Sequence, residues 1–224
     1  MEQRQFIVTI LTISILILGF AYANEPAQST PGATGQYTPT GGNTIGAGGG
    51  NVTEVNISAD LSTSKWQGYW GNVSGSLRLG DGSNVFFDWS NVEFAAVYAS
   101  PNSNPDWTSV TAVSSQGDKE TKDAAFGFTN TDADSITNTM TGSACAAGTE
   151  ISGAAGVTPY DNAGDPGSWD TCIADITGTD TTRALFGTNI ISAGATAYNG
   201  LNVQFQLMVP AADGGTNYYF FLEI

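Results

Sequence analysis

The sequence predicts an all-β fold, an antiparallel β-sandwich of the Ig-like or jelly-roll-like kind with long loops. From residue 51 onward, short segments alternate apolar with polar residues, which is the period of a strand with one buried face. Clusters of Gly, Asn and Asp separate these segments and favour antiparallel turns over the long crossovers of an α/β fold. A hydrophobic helix and a flexible stalk are predicted to precede the sandwich.

The chain is predicted to contain three parts along its 224 residues. Residues 1–23 hold an apolar run, Phe6–Phe20, followed by small residues that signal peptidase accepts before a cut after Ala23. They are interpreted as a signal peptide or as an uncleaved signal anchor, with the hydrophobic spine of a pilin-like subunit as a third interpretation. Residues 24–50, rich in Gly, Thr and Pro, are typical of a flexible linker. Residues 51–224 are predicted to form one β-sandwich domain, and every interpretation of the N-terminus places it outside the cell or on its surface.

Six segments of the domain carry the strand pattern. In chain order they are Val55–Leu61, Asn72–Leu79, Asn84–Trp89, Glu93–Ser100, Leu201–Val209 and Tyr218–Ile224. In the second segment the parity directs Val73, Leu77 and Leu79 inward and Asn72 outward. Asn199-Gly200 stands just before the fifth segment, where a two-residue hairpin turn fits.

One helix is predicted, at Asp118–Phe128, where residues such as Lys119 and Lys122 favour helix. Gly127 and the β-rich surroundings limit the prediction to one or two turns. The following region, about residues 130–180, has few large apolar side chains and is predicted to form long loops and short strands.

The charge of the chain is strongly one-sided, with 6 Lys and Arg residues against 21 Asp and Glu residues and a net charge of −15. A nucleic-acid partner is excluded because phosphates require a basic face. Contact with a membrane is expected only through the N-terminal segment. The chain has no histidine, so neither a Ser-His-Asp triad nor a histidine zinc site is possible. No nucleotide or esterase motif occurs and no carboxylate pair stands out by spacing, so the chain is predicted not to be an enzyme.

The two cysteines, Cys145 and Cys172, are predicted to form a disulfide, since an isolated pair in an exported chain is usually bonded. In the chain-entropy view, closing this loop stabilises the fold by roughly 3–4 kcal/mol. The alternative is two buried free thiols.

Three Asn residues stand in N-glycosylation triplets: Asn51, Asn56 and Asn72. Their number is what chance gives in a chain rich in Ser and Thr. The parity is more informative, because Asn56 and Asn72 fall on the polar faces of their predicted strands, from which a glycan would project into solvent.

Calcium is the one cofactor that the sequence suggests, because hard cations bind several oxygens of a flexible loop. The residues are Asp161, Asp165 and Asp170 in a Gly- and Pro-containing stretch. A second stretch offers Asn130, Asp132 and Asp134. Neither has EF-hand spacing, and solvated turn aspartates are the alternative for both. No other cofactor is predicted.

An aromatic group, Trp66, Tyr69 and Trp70, opens the domain. Exposed Trp and Tyr rings stack on sugars in carbohydrate-binding modules, whereas aromatics in a sandwich usually pack in the core or at sheet edges. Packing is favoured here, because these residues abut a strand whose apolar face must be buried.

The stretch WQGYWGNVSGSLRLGDGSNVFFDW, Trp66–Trp89, resembles a motif of exported archaeal surface proteins, W-x-G-x-x-G-N-V-S-G-x-(I/L)-x-L, followed by an aromatic strand that ends in Trp. Later parts of the chain look similar as well, so that the resemblance covers most of Asn51–Ile224. It implies a secreted protein of an archaeal envelope, and the N-glycosylation of that envelope supports Asn72 as an acceptor. The family has no assigned activity, and the resemblance implies no catalytic residue.

These observations predict a non-enzymatic extracellular structural or interaction protein of the cell surface, whose partners are other copies of itself or other surface proteins. One specific form is a pilus-like or filament subunit in which a strand such as Asn51–Leu61 leaves its own domain and completes a neighbour's sheet. The alternative is a carbohydrate-binding or adhesive module, with glycans as partners, that uses Trp66, Tyr69 and Trp70.

Overall fold

The computed structural model describes residues 24–38, 44–57, 61–89, 92–113, 115–142, 160–161, 169–176, 183–212 and 215–224. These parts of the chain are mostly strands in several antiparallel sheets, with few helices. The prediction of an all-β fold is therefore confirmed. Within the same ranges, no helix combines the length and the apolar character that crossing a membrane requires.

The strands are short. They are β1 (Asn24–Pro26), β2 (Trp66–Gly71), β3 (Leu77–Gly80), β4 (Val85–Trp89), β5 (Ala96–Ser100), β6 (Thr111–Ala112), β7 (Tyr160–Asp161), β8 (Cys172–Asp175), β9 (Ala184–Asn189), β10 (Ala195–Thr196), β11 (Asn202–Val203), β12 (Phe205–Pro210) and β13 (Tyr219–Glu223). Two α-helices, α1 (Gln116–Ala125) and α2 (Ile136–Thr139), and a 3-10 turn, Trp107–Ser109, complete the described elements.

The main sheet has seven strands in the order β1-β13-β5-β9-β8-β6, with β7 also paired to β8, and every pair is antiparallel. The C-terminal strand β13 thus lies between the N-terminal β1 and β5. Two-stranded ribbons form from β12 and β2, from β3 and β4, and from β10 and β11. Most neighbours in the main sheet are far apart in sequence, so the long-range order of this sheet comes from tertiary packing.

The core lies on both faces of the main sheet. On one face Val97 and Phe186 pack with Leu207 and Val209 of β12 and with Phe126 at the end of α1. On the other face the buried cluster is Ala96, Tyr98, Val110, Ala174, Ile176, Leu185 and Phe221, with Trp107 packed against it. β5 has a covered surface on each side, and all five of its residues are buried.

A close approach of two strands depends on glycine. Gly187 of β9 lies directly opposite Tyr98 of β5. A Cβ at Gly187 would stand 2.8 Å from the Tyr98 ring, which is closer than carbon atoms tolerate. Glycine therefore lets the fully buried Tyr98 ring cover the neighbouring strand.

The helix α1 is longer than the predicted one or two turns, at ten residues. Ser115 and Asp118 form a capping box that satisfies the first backbone N–H groups. Lys119, Lys122 and Asp123 are buried on its inner side. Capping and tertiary contacts therefore extend a segment whose composition alone favours helix only weakly.

The predicted strand at Val55–Leu61 is absent in its described part. Residues 51–57 contain no strand, and Val55, Ile57 and Leu61 are exposed. Alternation gives a segment one apolar face, but a stable strand also needs a neighbouring strand to pair with. Residues 51–57 pair with no described strand.

Four strand predictions are confirmed in position and only partly in orientation, those at Asn84–Trp89, Glu93–Ser100, Leu201–Val209 and Tyr218–Ile224. Of the predicted strand Asn72–Leu79 only its last three residues lie in a strand, and β2 precedes it where no strand was predicted. In the fifth predicted segment Val203, Leu207 and Val209 are buried as the parity requires, and Gly200 adopts a φ of 82° in the turn before it. Leu77 and Leu79, predicted to point inward, are exposed. The reason is that β3 pairs only with β4 among the described strands, so no sheet covers its apolar face.

Candidate functional site

The edge of the main sheet beside β13 is occupied by the first described residues of the chain. Asn24 lies opposite Glu223 and Pro26 opposite Phe221, and the N–H of Ala27 donates to the Phe220 carbonyl at 2.9 Å. Among the described residues no strand pairs with the outer side of β1, and proline fits such a position because it lacks an N–H to donate there. The sequence analysis assigned these residues to the linker. Edge pairing uses backbone groups, so it leaves little trace in side-chain patterns.

The segment after β1 contacts little of the domain. In residues 28–38 and 44–57 every residue is exposed and none is in a strand. Fully extended, residues 27–65 would span on the order of 100 Å. The strand β1 is therefore joined to the domain by a connection long enough to reach another molecule.

Two of the three aromatic candidates pack on the core. The indole N–H of Trp66 donates to the Asp134 carbonyl at 2.6 Å, and the ring lies 5.9 Å from that of Phe128. Tyr69 meets Phe220 edge to face at 5.0 Å. Burial raises the pKa of the Tyr69 hydroxyl. These contacts are those of structural aromatics.

Trp70 lies elsewhere and has a different neighbour. It is 38 % exposed and meets Tyr198, which is 76 % exposed, at 6.2 Å between ring centroids and 66° between planes. The structure therefore does not bring Trp66, Tyr69 and Trp70 together as one coplanar exposed surface. It pairs Trp70 with Tyr198, which the sequence analysis did not single out because the two are far apart in the chain.

A shallow surface depression of about 300 Å³ lies close in sequence to Trp70, since one of its lining residues follows Trp70 by two positions. Its lining is polar and includes Asn72, Asn202 and Gln204. The amide of Gln204 is already engaged, because its oxygen accepts from the Val73 N–H at 2.8 Å and its nitrogen donates to the Ser192 carbonyl at 3.3 Å. The depression offers polar groups to a small ligand on an open surface.

The ribbon of β3 and β4 is here named the aromatic hairpin. All of its strand residues are exposed. Asp81 closes its turn by accepting the N–H groups of Ser83 and Asn84, and Gly82 adopts a φ of 86°. The cluster of Gly and Asp between the second and third predicted segments indicated a turn here; the exposure of the hairpin was not predicted.

The three glycosylation candidates, Asn51, Asn56 and Asn72, are all exposed. Asn72 lies between β2 and β3 rather than within a strand, and Asn56 lies in a segment without a strand, where its side chain donates to Glu54 at 3.2 Å. Exposure makes each side chain accessible, and occupancy stays a prediction.

Cys172 lies in β8 and is disulfide-bonded. The predicted partner, Cys145, lies outside the described residues. Of the first calcium group, Asp165 also lies outside them, Asp161 is in β7, and Asp170 is partly buried. Calcium binding by this group therefore stays a prediction.

The second calcium candidate is used to shape a loop. Asp132 accepts the Thr129 N–H at 3.2 Å, and Asp134 accepts the Thr63 hydroxyl. The Asn130 carbonyl accepts from the Asn138 side chain at 3.1 Å. Among the residues that the structure describes, no three His, Cys, Asp or Glu side chains converge as a metal site.

Charged groups also occur inside the domain. Lys122 is buried and pairs with Asp175, which in turn accepts from Arg183 at 2.5 Å. Burial lowers the pKa of Lys122, and the contact with Asp175 partly opposes that shift. The Tyr98 hydroxyl donates to buried Glu223 at 2.5 Å. Sequence alone did not indicate these pairs, since Lys122 and Asp175 are 53 residues apart and Tyr98 and Glu223 are 125 residues apart.

Comparisons of the chain with protein-family profiles, with curated proteins and with solved structures found no match. Function is therefore inferred from the sheet edge, the connection behind it and the exposed surfaces.

Proposed function

We propose that this protein is a non-enzymatic structural protein of the cell exterior that self-associates by strand exchange. In this proposal β1 of one copy pairs with β13 of the next and builds a filament or another surface assembly. The exchanged strand is Asn24–Pro26 and not the previously favoured Asn51–Leu61, whose described part forms no strand.

The observation that carries the proposal is the pairing of β1 with β13, at the end of a long connection whose described residues 28–38 and 44–57 are all exposed. A strand held only at a sheet edge makes the same backbone hydrogen bonds with its own domain or with a neighbour's. Exchange therefore needs no hydrogen bonds other than those already made within one copy. The predicted cut after Ala23 would place β1 at the start of the mature chain.

Two further features belong to the proposal. The ribbon of β12 and β2 and the main sheet are the two layers of a β-sandwich, supported by the cluster that Leu207 and Val209 share with Phe186. The net charge of −15 keeps free subunits soluble, so assembly depends on specific contacts.

The test uses two cysteine variants, Glu25→Cys and Leu222→Cys, whose Cα atoms are directly opposite in the pairing. Antiparallel neighbours stand about 4.5–5.5 Å apart, within disulfide range. Mixed under refolding and oxidising conditions, the two variants are expected to form a disulfide-linked heterodimer, and electron microscopy of the unmodified protein is expected to show oligomers or filaments. Gln28→Cys, just beyond the strand, replaces Glu25→Cys as the control.

A third protein, carrying Glu25→Cys and Leu222→Cys in one chain, supplies the opposite outcome. Strand exchange would be overturned if that chain forms the disulfide within itself while the mixed single variants form no heterodimer. Monomers alone in electron micrographs, across salt and calcium concentrations, would count against assembly as a whole.

The second candidate function is an adhesive or carbohydrate-binding module. It is favoured by the exposed pair of Trp70 and Tyr198 and by the polar depression that includes Asn72. A glycan array with hits that are lost in Trp70→Ala would support it. An array without hits would remove it.

A further inference from the structure

The aromatic hairpin carries an apolar surface that no described residue covers. Its six large apolar side chains are between 43 % and 83 % exposed, and they are Leu77, Leu79, Val85, Phe86, Phe87 and Trp89. The largest apolar patch that a soluble monomer exposes is often functional. A two-stranded hairpin is also only marginally stable by itself, so a partner would stabilise it.

The apolar residues are arranged in register. Leu77 lies opposite Trp89 and Leu79 opposite Phe87, which places the four on one face of the ribbon. The rings of Phe87 and Trp89 meet edge to face at 4.9 Å. This set of four is here named the apolar face.

The other face of the hairpin carries an ion pair and Phe86, which alternates with Phe87 along β4. Arg78 and Asp88 lie opposite each other and form an ion pair at 3.0 Å. The charges are therefore paired with each other and turned away from the apolar face, which is uncharged.

The hairpin is attached close to the edge that β1 occupies. Its two ends approach each other where the Phe94 ring lies 3.1 Å from the position of a Cβ on Gly75. The next residue, Ala95, donates its N–H to the Glu223 carbonyl at 3.0 Å, and Glu223 is the residue opposite Asn24. A strand entered from a neighbouring copy would therefore begin beside the base of the hairpin.

The charge of the chain and the size of the surface indicate which partner fits. Two copies with a net charge of −15 each repel one another, so they meet most favourably through an uncharged surface such as the apolar face. Four half-exposed side chains offer on the order of 300 Å², against about 800 Å² per partner in a stable dimer. The apolar face is too small to hold two copies alone and suits a contact that supplements strand exchange.

We propose that the apolar face of the aromatic hairpin docks on a second copy of this chain within the assembly that exchanges β1. This inference rests on the proposed self-association. The hairpin contact supplies the apolar burial of the interface. The β1 pairing supplies backbone hydrogen bonds, and the long connection behind β1 lets it extend to the neighbouring copy.

The test compares two matched double variants. Leu79→Ser with Trp89→Ser changes the apolar face. Leu201→Ser with Ile57→Ser changes exposed apolar residues elsewhere, since Leu79 and Leu201 are both 53 % exposed and Ile57 is 89 % exposed. Sedimentation velocity gives the concentration of half-association, and thermal unfolding at low concentration verifies that both variants are folded.

The hairpin variant is expected to raise the half-association concentration at least about tenfold, as the loss of interface anchors does. The control variant is expected to change it by less than about twofold. Equal effects of the two variants would overturn the proposal. So would unchanged self-association together with loss of binding to neutral phosphatidylcholine vesicles, which would identify a lipid surface as the partner.

The cysteine heterodimer of Glu25→Cys and Leu222→Cys separates this proposal from strand exchange. If the heterodimer forms in both backgrounds and only the hairpin variant weakens association, both proposals hold. If no heterodimer forms but the hairpin variant still weakens association, strand exchange fails, and the apolar face docks on a second copy in an assembly that other contacts build.

Discussion

The consecutive strands β4 and β5 have five residues each and opposite environments. β5, Ala96–Ser100, is buried at every position, whereas β4, Val85–Trp89, is exposed at every position. β4 contains two Phe and one Trp, while β5 contains two Ala and one Ser. The strand with the larger apolar side chains is thus the one that faces water.

The difference comes from neighbours. β5 lies between β13 and β9 in the main sheet, and an apolar cluster covers each of its faces. β4 pairs only with β3 among the described strands. Burial in a monomer therefore depends on the position of a strand in the sheet. The apolar side chains of β4 stay exposed because no described sheet covers the ribbon of β3 and β4.

The largest expected effect is on the free energy of unfolding, and it compares a phenylalanine in the main sheet with one on the aromatic hairpin. Phe186→Ala in β9 removes a fully buried ring and is expected to lower the free energy of unfolding by about 3–5 kcal/mol. Phe87→Ala on the hairpin is expected to lower it by less than about 1 kcal/mol, because the ring is half exposed. Urea denaturation at concentrations below self-association measures both. Equal losses would mean that the hairpin is packed within the monomer.

Ion pairs provide the next comparison. Asp175→Ala leaves Lys122 buried without its carboxylate and is expected to cost about 3–5 kcal/mol of unfolding free energy. Asp88→Ala breaks the exposed pair with Arg78 and is expected to cost less than about 1 kcal/mol. Chemical denaturation of each variant measures the difference.

A second substitution provides the control for that prediction. Lys122→Met in the Asp175→Ala background removes the uncompensated charge and is expected to recover much of the lost stability. No recovery would show that Asp175 acts through Arg183 or through packing.

The smallest expected effect is a decrease of the free energy of unfolding at alkaline pH, which arises from tyrosines that pack on the core. Burial raises the pKa of the Tyr218 hydroxyl, which donates to the Pro210 carbonyl at 2.6 Å, and burial raises that of Tyr69. Above the ordinary pKa of 10.0 the unfolded chain loses these protons first. Stability is therefore complete below pH 10 and falls as the pH rises, by at most about 1.4 kcal/mol per pH unit for each tyrosine.

Tyr218→Phe is expected to reduce this slope. The pKa of Lys122 is lowered, so its contribution to stability rises with pH below the ordinary lysine pKa of 10.5. This contribution is the same in the unmodified protein and in Tyr218→Phe. The difference between the two denaturation profiles from pH 9 to 12 therefore isolates Tyr218. If the two profiles run parallel, Tyr218 does not cause the loss of stability at alkaline pH.

Local features of the fold were predictable from the residues. The turn at Gly82, the turn at Gly200 and the strands that follow each of them were placed by glycine and by period-two patterns. These signals are local, because a positive φ or an alternating strand depends on residues a few positions apart. The length of α1 was underestimated because its stability depends on the cap at Ser115 and on packing.

The candidate site was predictable only in part. The aromatic group was found, but its members were grouped by closeness in sequence, and the structure instead pairs Trp70 with Tyr198. The strand β1 was missed because edge pairing uses backbone atoms, for which Pro26 gives only a permissive signal. The exchange strand was therefore expected at Asn51–Leu61, where the side-chain pattern was clearer.

The sequence by itself determined the all-β class, the acidic surface, the local turns and the alternation that gives each ribbon two faces. Only the tertiary structure decided which of those faces are buried, that β1 occupies the edge beside β13, and that Leu77, Leu79, Phe87 and Trp89 are exposed. The physical reason is that period and turn chemistry act over a few residues. Burial and strand order depend instead on contacts between segments that lie up to the length of the chain apart.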